Sequence, residues 1–162
     1  MTPDDHMLSH VGPDGAARMV DVGAKAETMR VARAGGSIRM APTTLAAITA
    51  NSLKKGDVIA VARVAGIMAA KRTAELIPLC HPVTLSDVQV DITAAPELPG
   101  LKVEVTARSF GRTGVEIEAI SAVCVTLVTV FDMVKAVDKG LVLSDIRVLE
   151  KSGGRSGSWK SG

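Results

Sequence analysis

Hydrophobic and polar residues change period along the chain, and each change marks an element. From Thr84 to Thr93, Val88, Val90 and Ile92 alternate with Gln89 and Asp91. From Leu101 to Ala107, Leu, Val, Val and Ala alternate with Lys, Glu and Thr. Both patterns predict half-buried strands, joined through the turn sequence PELPG as a hairpin. VIAVARVAGIMAAKRTAEL, preceded by Asp57 as a plausible N-cap, predicts an Ala-rich helix that Pro78 ends, with Gly66 placed for close packing. Gly114 to Lys139 predicts a second long helix stopped by Gly140, on which Ile120, Val123, Leu127, Val130, Val134 and Val137 form an apolar stripe.

The remaining segments are shorter. Met19 to Ala34 reads as an ordered arm, Gly35-Gly36 as a break, Ser37 to Met40 as a short strand and Thr43 to Ala50 as a short helix opened by Pro42. Leu141 to Leu149 is the last strand, and KSGGRSGSWKSG a loose tail. The order is strand, helices, two strands, helix, strand. It predicts a single α+β domain of the ferredoxin-like kind, an antiparallel sheet with helices packed on one face, after a mobile start before Met19.

A second, narrow stripe on the long helix carries Glu118, Ser121, Thr129, Asp132, Lys135 and Lys139. A polar stripe is ordinarily the solvated side of a helix. Here nearly every other position is apolar, so the helix is expected to be buried almost all round, partly by another subunit. Asp132 and Lys135, one turn apart, are placed to pair in a partly dry crevice, an arrangement suited to proton transfer.

Composition narrows the classes. In 162 residues, 47% hydrophobic and 22% charged, a sizeable core is available. The run Ala119 to Phe131 is too short to span a bilayer and is bounded by Glu118 and Asp132, and no basic-then-apolar leader opens the chain, so a cytoplasmic protein without a membrane partner is expected. Cys80 and Cys124 make neither a disulfide framework nor a zinc pattern, and no metal is expected. A net charge of +2 does not suit duplex DNA, and Phe110, Phe131 and Trp159 are too few aromatics for single-strand stacking, so no nucleic acid is expected.

Several short motifs bear chemistry. LIPLCHP sets Cys80 and His81 in a loop stiffened by prolines at 78 and 82, although an isolated histidine is more often satisfied by a backbone group. Lys151-Ser-Gly-Gly-Arg155 offers backbone N–H groups and two cations to phosphate oxygens, and Lys54-Lys55 precede a helix N-terminus that also favours anions. Gly66 to Thr73 lacks the second glycine of a phosphate-binding P-loop. Glu116 and Glu118 either share a strand face or begin the helix, where carboxylates suit the dipole. On a continuous helix, Glu118 and Asp132 stand ~21 Å apart at ~1.5 Å per residue, so they serve different ends of a ligand or different sites.

Taken together, LIPLCHP, GVEIEA, FDMVKA and KSGG, with KAETMRVARA and KKGDV, resemble the molybdenum cofactor biosynthesis protein C (MoaC) family of cyclic pyranopterin monophosphate synthases, from Met19 to Gly157. The resemblance implies a ferredoxin-like fold, a homohexamer built as a trimer of dimers with its active site at a subunit interface, and no cofactor. It implies a cyclised dihydroguanosine triphosphate substrate, converted to cyclic pyranopterin monophosphate and diphosphate. Asp132 and Lys135 match the catalytic pair, and Lys55 joins them. Leu79, Cys80 and His81 match the substrate loop, and Ile117 with Glu118 a second contact beside Glu116. Lys71 and Lys151 match lysines near the triphosphate or the reacting ring, and Arg30 and Arg155 assist at the phosphates. Arg155 stands where many members have lysine, and Gly23 where many have serine. The alternative class is a ferredoxin-like module that holds a phosphorylated metabolite unchanged, which released diphosphate would distinguish.

Overall fold

The computed structural model describes residues 14–155 and 157–162. His6 and His10, in the expected mobile start, lie outside the described residues. The elements are β1 (Thr28–Arg39), α1 (Pro42–Thr49), α2 (Val58–Lys71), α3 (Thr73–Leu76), β2 (Leu85–Ala95), β3 (Gly100–Gly111), α4 (Glu116–Val134), β4 (Val142–Ser152) and β5 (Trp159–Lys160). The strands lie in the order β2-β3-β1-β4-β5, every neighbouring pair antiparallel. The first four positions are the ferredoxin-like arrangement, in which two helical crossovers cover one face of the sheet.

Alternation builds the core. Leu101, Val103, Val105 and Ala107 of β3 and Ala32 and Ala34 of β1 are fully buried under Ala119, Ala122, Val123, Leu127, Val130 and Val134 of α4. By length and mean hydropathy alone α4 would suit a bilayer. Instead its apolar stripe packs on β1, β3 and β4, and its flank on α2. Gly66 sets the α2–α4 spacing, because a Cβ there would overlap Thr126 Oγ1 and lie 3.2 Å from the Ala122 carbonyl oxygen.

Four boundaries differ from the sequence reading. The chain does not break at Gly35-Gly36: β1 runs through both, paired on each side to β3 and β4. A side chain at Gly36 would lie 2.8 Å from Val123 and 2.9 Å from Leu127, so this glycine is where α4 sits down on the central strand, and one at Gly35 would lie 3.0 Å from Leu149. The first long helix divides at Arg72, whose φ of −112° and ψ of 11° leave the helical region. α4 stops at Val134, so Lys135 is its C-cap and Lys139 lies beyond it. In the expected C-terminal tail, Trp159 and Lys160 pair with Lys151 and Glu150, turning KSGG into a hairpin tip.

One feature of β4 aims a candidate site residue. Opposite β1 it carries one extra residue between the Arg33 and Ala34 partners and another between those of Gly35 and Ser37, where Asp145 has a φ of +57°. One bulge would turn the rest of the strand over; two restore the original face. Lys151 therefore lies opposite buried Ala32 and projects toward α4.

Candidate active site

The chemistry-bearing side chains fall into two groups, one at each end of α4. At the N-terminal end, Glu116 and Glu118 occupy the first turn, the helical alternative of the two open readings. They diverge. Glu116 Oε1 meets Lys151 Nζ at 2.9 Å, joining α4 to the end of β4. Glu118 is 3% exposed; its Oε1 accepts from Cys80 Sγ at 3.6 Å, and its Oε2 has no hydrogen-bond partner.

Burial, with a smaller push from the Glu116 charge, raises the Glu118 carboxyl above the usual carboxylate range. Burial and the neighbouring Glu118 charge push the Cys80 thiol up to about 11. A thiol so placed stays protonated near neutral pH and is a poor nucleophile.

Beside Glu116 a cavity of about 900 Å³ is lined by Asp21, Lys25, Arg30, Arg112, Glu116, Lys151 and Arg155 with Gly153 and Gly154. Arg30 stands on the inner face of β1, 9% exposed, and its guanidinium donates to the carbonyls of Gly111 at 3.1 Å and Arg112 at 3.3 Å. Among the described residues no carboxylate pairs with it. Gly153 and Gly154 have φ of +99° and +75°, and a Cβ at Gly154 would overlap the Arg30 guanidinium. Glycine there lets the hairpin backbone close on the arginine. Buried Arg30, Lys25, Arg155 and the Gly153-Gly154 backbone suit this cavity to an anion, although the carboxylates of Asp21 and Glu116 also line it.

At the other end, on the last turn of α4, Asp132 stands between two ammonium groups. Its Oδ1 is 2.6 Å from Lys135 Nζ and its Oδ2 is 3.6 Å from Lys55 Nζ, which also donates to the Asp132 carbonyl at 2.8 Å. The hydrogen bond and charge of Lys135, then the charge of Lys55, hold the carboxyl below its usual range. The expected partly dry crevice is absent from the single chain: the side chains of Asp132 and Lys135 are 58% and 55% exposed. Helical periodicity places them correctly on one stripe. That stripe faces away from the sheet, however, and α4 ends too soon for its own fold to cover it.

The other expected residues surround the first group without being tied to it. Leu79 and His81 are half-buried in the loop after α3, Ile117 is 42% exposed, and Lys71 is exposed at the end of α2 with no ion-pair partner among the described residues. The sequence reading did not single out Lys25 and Arg112, which also line the cavity, Arg112 paired with Glu27 at 3.5 Å. Arg112 lies in Gly111-Arg-Thr-Gly114, between β3 and α4, where two glycines around a cation just before a helix were a legible anion-site signal. Among the described residues, no three His, Cys, Asp or Glu side chains are placed to hold a metal ion.

This geometry can be set beside known proteins. The MoaC family model matches residues 19–154. Cyclic pyranopterin monophosphate synthases of Brucella ovis, Brucella melitensis and Brucella abortus are each 57% identical over 152 residues, spanning 94% of this chain and 92% of their own.

Proposed function

The chain belongs to the MoaC family, and from that footing we propose how its geometry serves a cyclic pyranopterin monophosphate synthase activity. The reaction is a lyase step of molybdenum cofactor biosynthesis on a GTP-derived substrate. Stated in full, it converts (8S)-3',8-cyclo-7,8-dihydroguanosine 5'-triphosphate to cyclic pyranopterin monophosphate and diphosphate. The observation that carries the residue assignment is Asp132, a carboxylate held between the ammonium groups of Lys135 and Lys55.

Opening and reclosing a purine-derived ring requires protons to leave some atoms and reach others. A carboxylate with two ammonium neighbours can accept at one oxygen while a lysine donates beside it. The cavity at the other end of α4 suits the triphosphate. Arg30 and Lys151 offset its charge, the Gly153-Gly154 backbone approaches it, and the same cations stabilise the departing diphosphate. The orphan Glu118 Oε2 and the Cys80-His81 loop offer directional contacts to the heterocycle.

Both ends of one α4 cannot meet one small ligand, being ~21 Å apart at ~1.5 Å per residue. Each site is therefore completed by another copy, as a homohexamer built as a trimer of dimers provides. Exposed Val61, Val64 and Met68 on α2 and Ile117 and Val128 on α4 support such contacts. Covering the Asp132 end would also strengthen its ion pairs by removing water. The protein works in the cytoplasm.

The test is incubation of the purified protein with the cyclised nucleotide and detection of diphosphate and pterin by mass spectrometry. Asp132→Ala should abolish turnover with unchanged circular dichroism. Turnover retained in that variant overturns the proton-transfer assignment, and no diphosphate from the unaltered protein overturns the activity.

A further inference from the structure

Asp138 lies just beyond α4, in the connection to β4, and its carboxylate gathers three segments. Oδ2 accepts from the Ala41 backbone N–H at 2.7 Å and from Thr44 Oγ1 at 3.0 Å, and Oδ1 accepts from the Gly140 N–H at 2.9 Å. Thr44 is buried. Helix α1 has no capping side chain of its own and no acidic residue in its first turn. Asp138 thus supplies both the missing acceptor and the missing negative charge, from the far side of the sequence.

The two segments it joins lead to the same place. On one side Lys135, Ala136 and Val137 form the turn after α4, closed by the Val137 and Asp138 N–H groups on the Val134 carbonyl at 2.9 and 3.1 Å. Lys135 is carried on that turn. On the other side α1 runs into a tight loop, fixed by Ser52 N–H on Ala47 at 3.0 Å and Gly56 N–H on Leu53 at 3.1 Å. That loop delivers Lys55 to Asp132. Asp138, α1, the loop, Lys55 and the end of α4 form a closed circuit, in which the clamp sets how far the two lysines stand from the carboxylate between them.

We propose that Asp138 is a positioning residue that holds Lys55 and Lys135 in register on Asp132, an inference that rests on the reading of those three as the proton-transfer group. Asp138 touches neither lysine and is no catalytic residue. Its ionised form is the one that can accept all three hydrogen bonds, and those bonds hold its carboxyl below the usual range.

Two variants test this. Asp138→Asn turns one acceptor oxygen into a donor that must oppose either the Gly140 N–H or the Ala41 N–H and Thr44, and Thr44→Val removes one hydroxyl while keeping the buried shape. In assays with the cyclised nucleotide, Asp138→Asn should lower kcat about 10- to 100-fold, as expected for slight misplacement of reacting groups, with KM changed less than about twofold. Thr44→Val should move the same way by less. In the unliganded protein, carbon-13 NMR should show the Asp132 carboxyl titrating closer to its ordinary range in both.

If both variants keep the original kcat and the original Asp132 titration while melting earlier, Asp138 is a helix cap only and the proposal is overturned. If Asp138→Asn fails to fold, Thr44→Val decides. If the unaltered protein shows no turnover, the functional reading fails, while the Asp132 titration still reports whether the clamp sets the cluster.

Discussion

Gly66→Ala puts the helix crossing to a quantitative test. The new methyl would overlap Thr126 Oγ1 and lie 3.2 Å from the Ala122 carbonyl oxygen and 3.5 Å from Val90 Cγ2. Thr126 is fully buried and spends its hydroxyl on Ala122 at 2.7 Å. Thr126 must rotate and lose that bond, and the 3.2 Å approach to the Ala122 backbone oxygen still pushes α2 and α4 apart. Overpacking a core costs about 1–3 kcal/mol, and leaving a buried hydroxyl unsatisfied about 1–3 kcal/mol. Replacing glycine by alanine in a helix returns about 1 kcal/mol.

The expected net loss is about 3 kcal/mol, which for a chain of this size lowers Tm by roughly 6–12 °C. Urea unfolding at fixed protein concentration measures it, with the midpoint falling and the slope unchanged. Thr126→Ala frees the space, so the double variant should be at least about 1 kcal/mol more stable than the two single losses added together. A Gly66→Ala protein as stable as the original, or single effects that add within about 0.5 kcal/mol, refutes the close-crossing account.

Two further outcomes follow from the site. Gly154→Ala forces a side chain into the Arg30 guanidinium at a φ of +75°, so diphosphate affinity measured by calorimetry should fall at least about tenfold, with about 1–2 kcal/mol of added backbone strain. Retained affinity would remove Arg30 from the anion site. The Cys80 thiol, raised to about 11 by burial and Glu118, should alkylate with iodoacetamide about ten times faster per pH unit between pH 7 and 10, the thiolate being the reactive form. Glu118→Gln removes the negative neighbour, lowers that pKa and speeds alkylation at pH 8; an unchanged rate would show that Glu118 does not face the thiol.

The sequence by itself determined the layers. Alternation in 84–93 and 101–107 and the 3.6-residue stripe from Val123 to Val134 are local consequences of which face must leave water, and they survive folding nearly unchanged. Its short motifs also determined the family, because LCH, FDMVKA and KSGG occur together in order. Tertiary structure decided what depends on a distant partner. Gly35-Gly36 read locally as a break, and becomes the centre of the sheet because strands pair on both sides and because Leu149 of β4 and the α4 residues Val123 and Leu127 need a backbone without side chains there. The two bulges that aim Lys151, the reach of Lys55 to Asp132 and the capping of α1 by Asp138 all join residues far apart in the chain. Periodicity reports which face a residue takes on its own element. It carries no information about the bends, register shifts and turn closures that bring two elements together, since those are fixed by packing and hydrogen bonds formed only when the whole chain has folded.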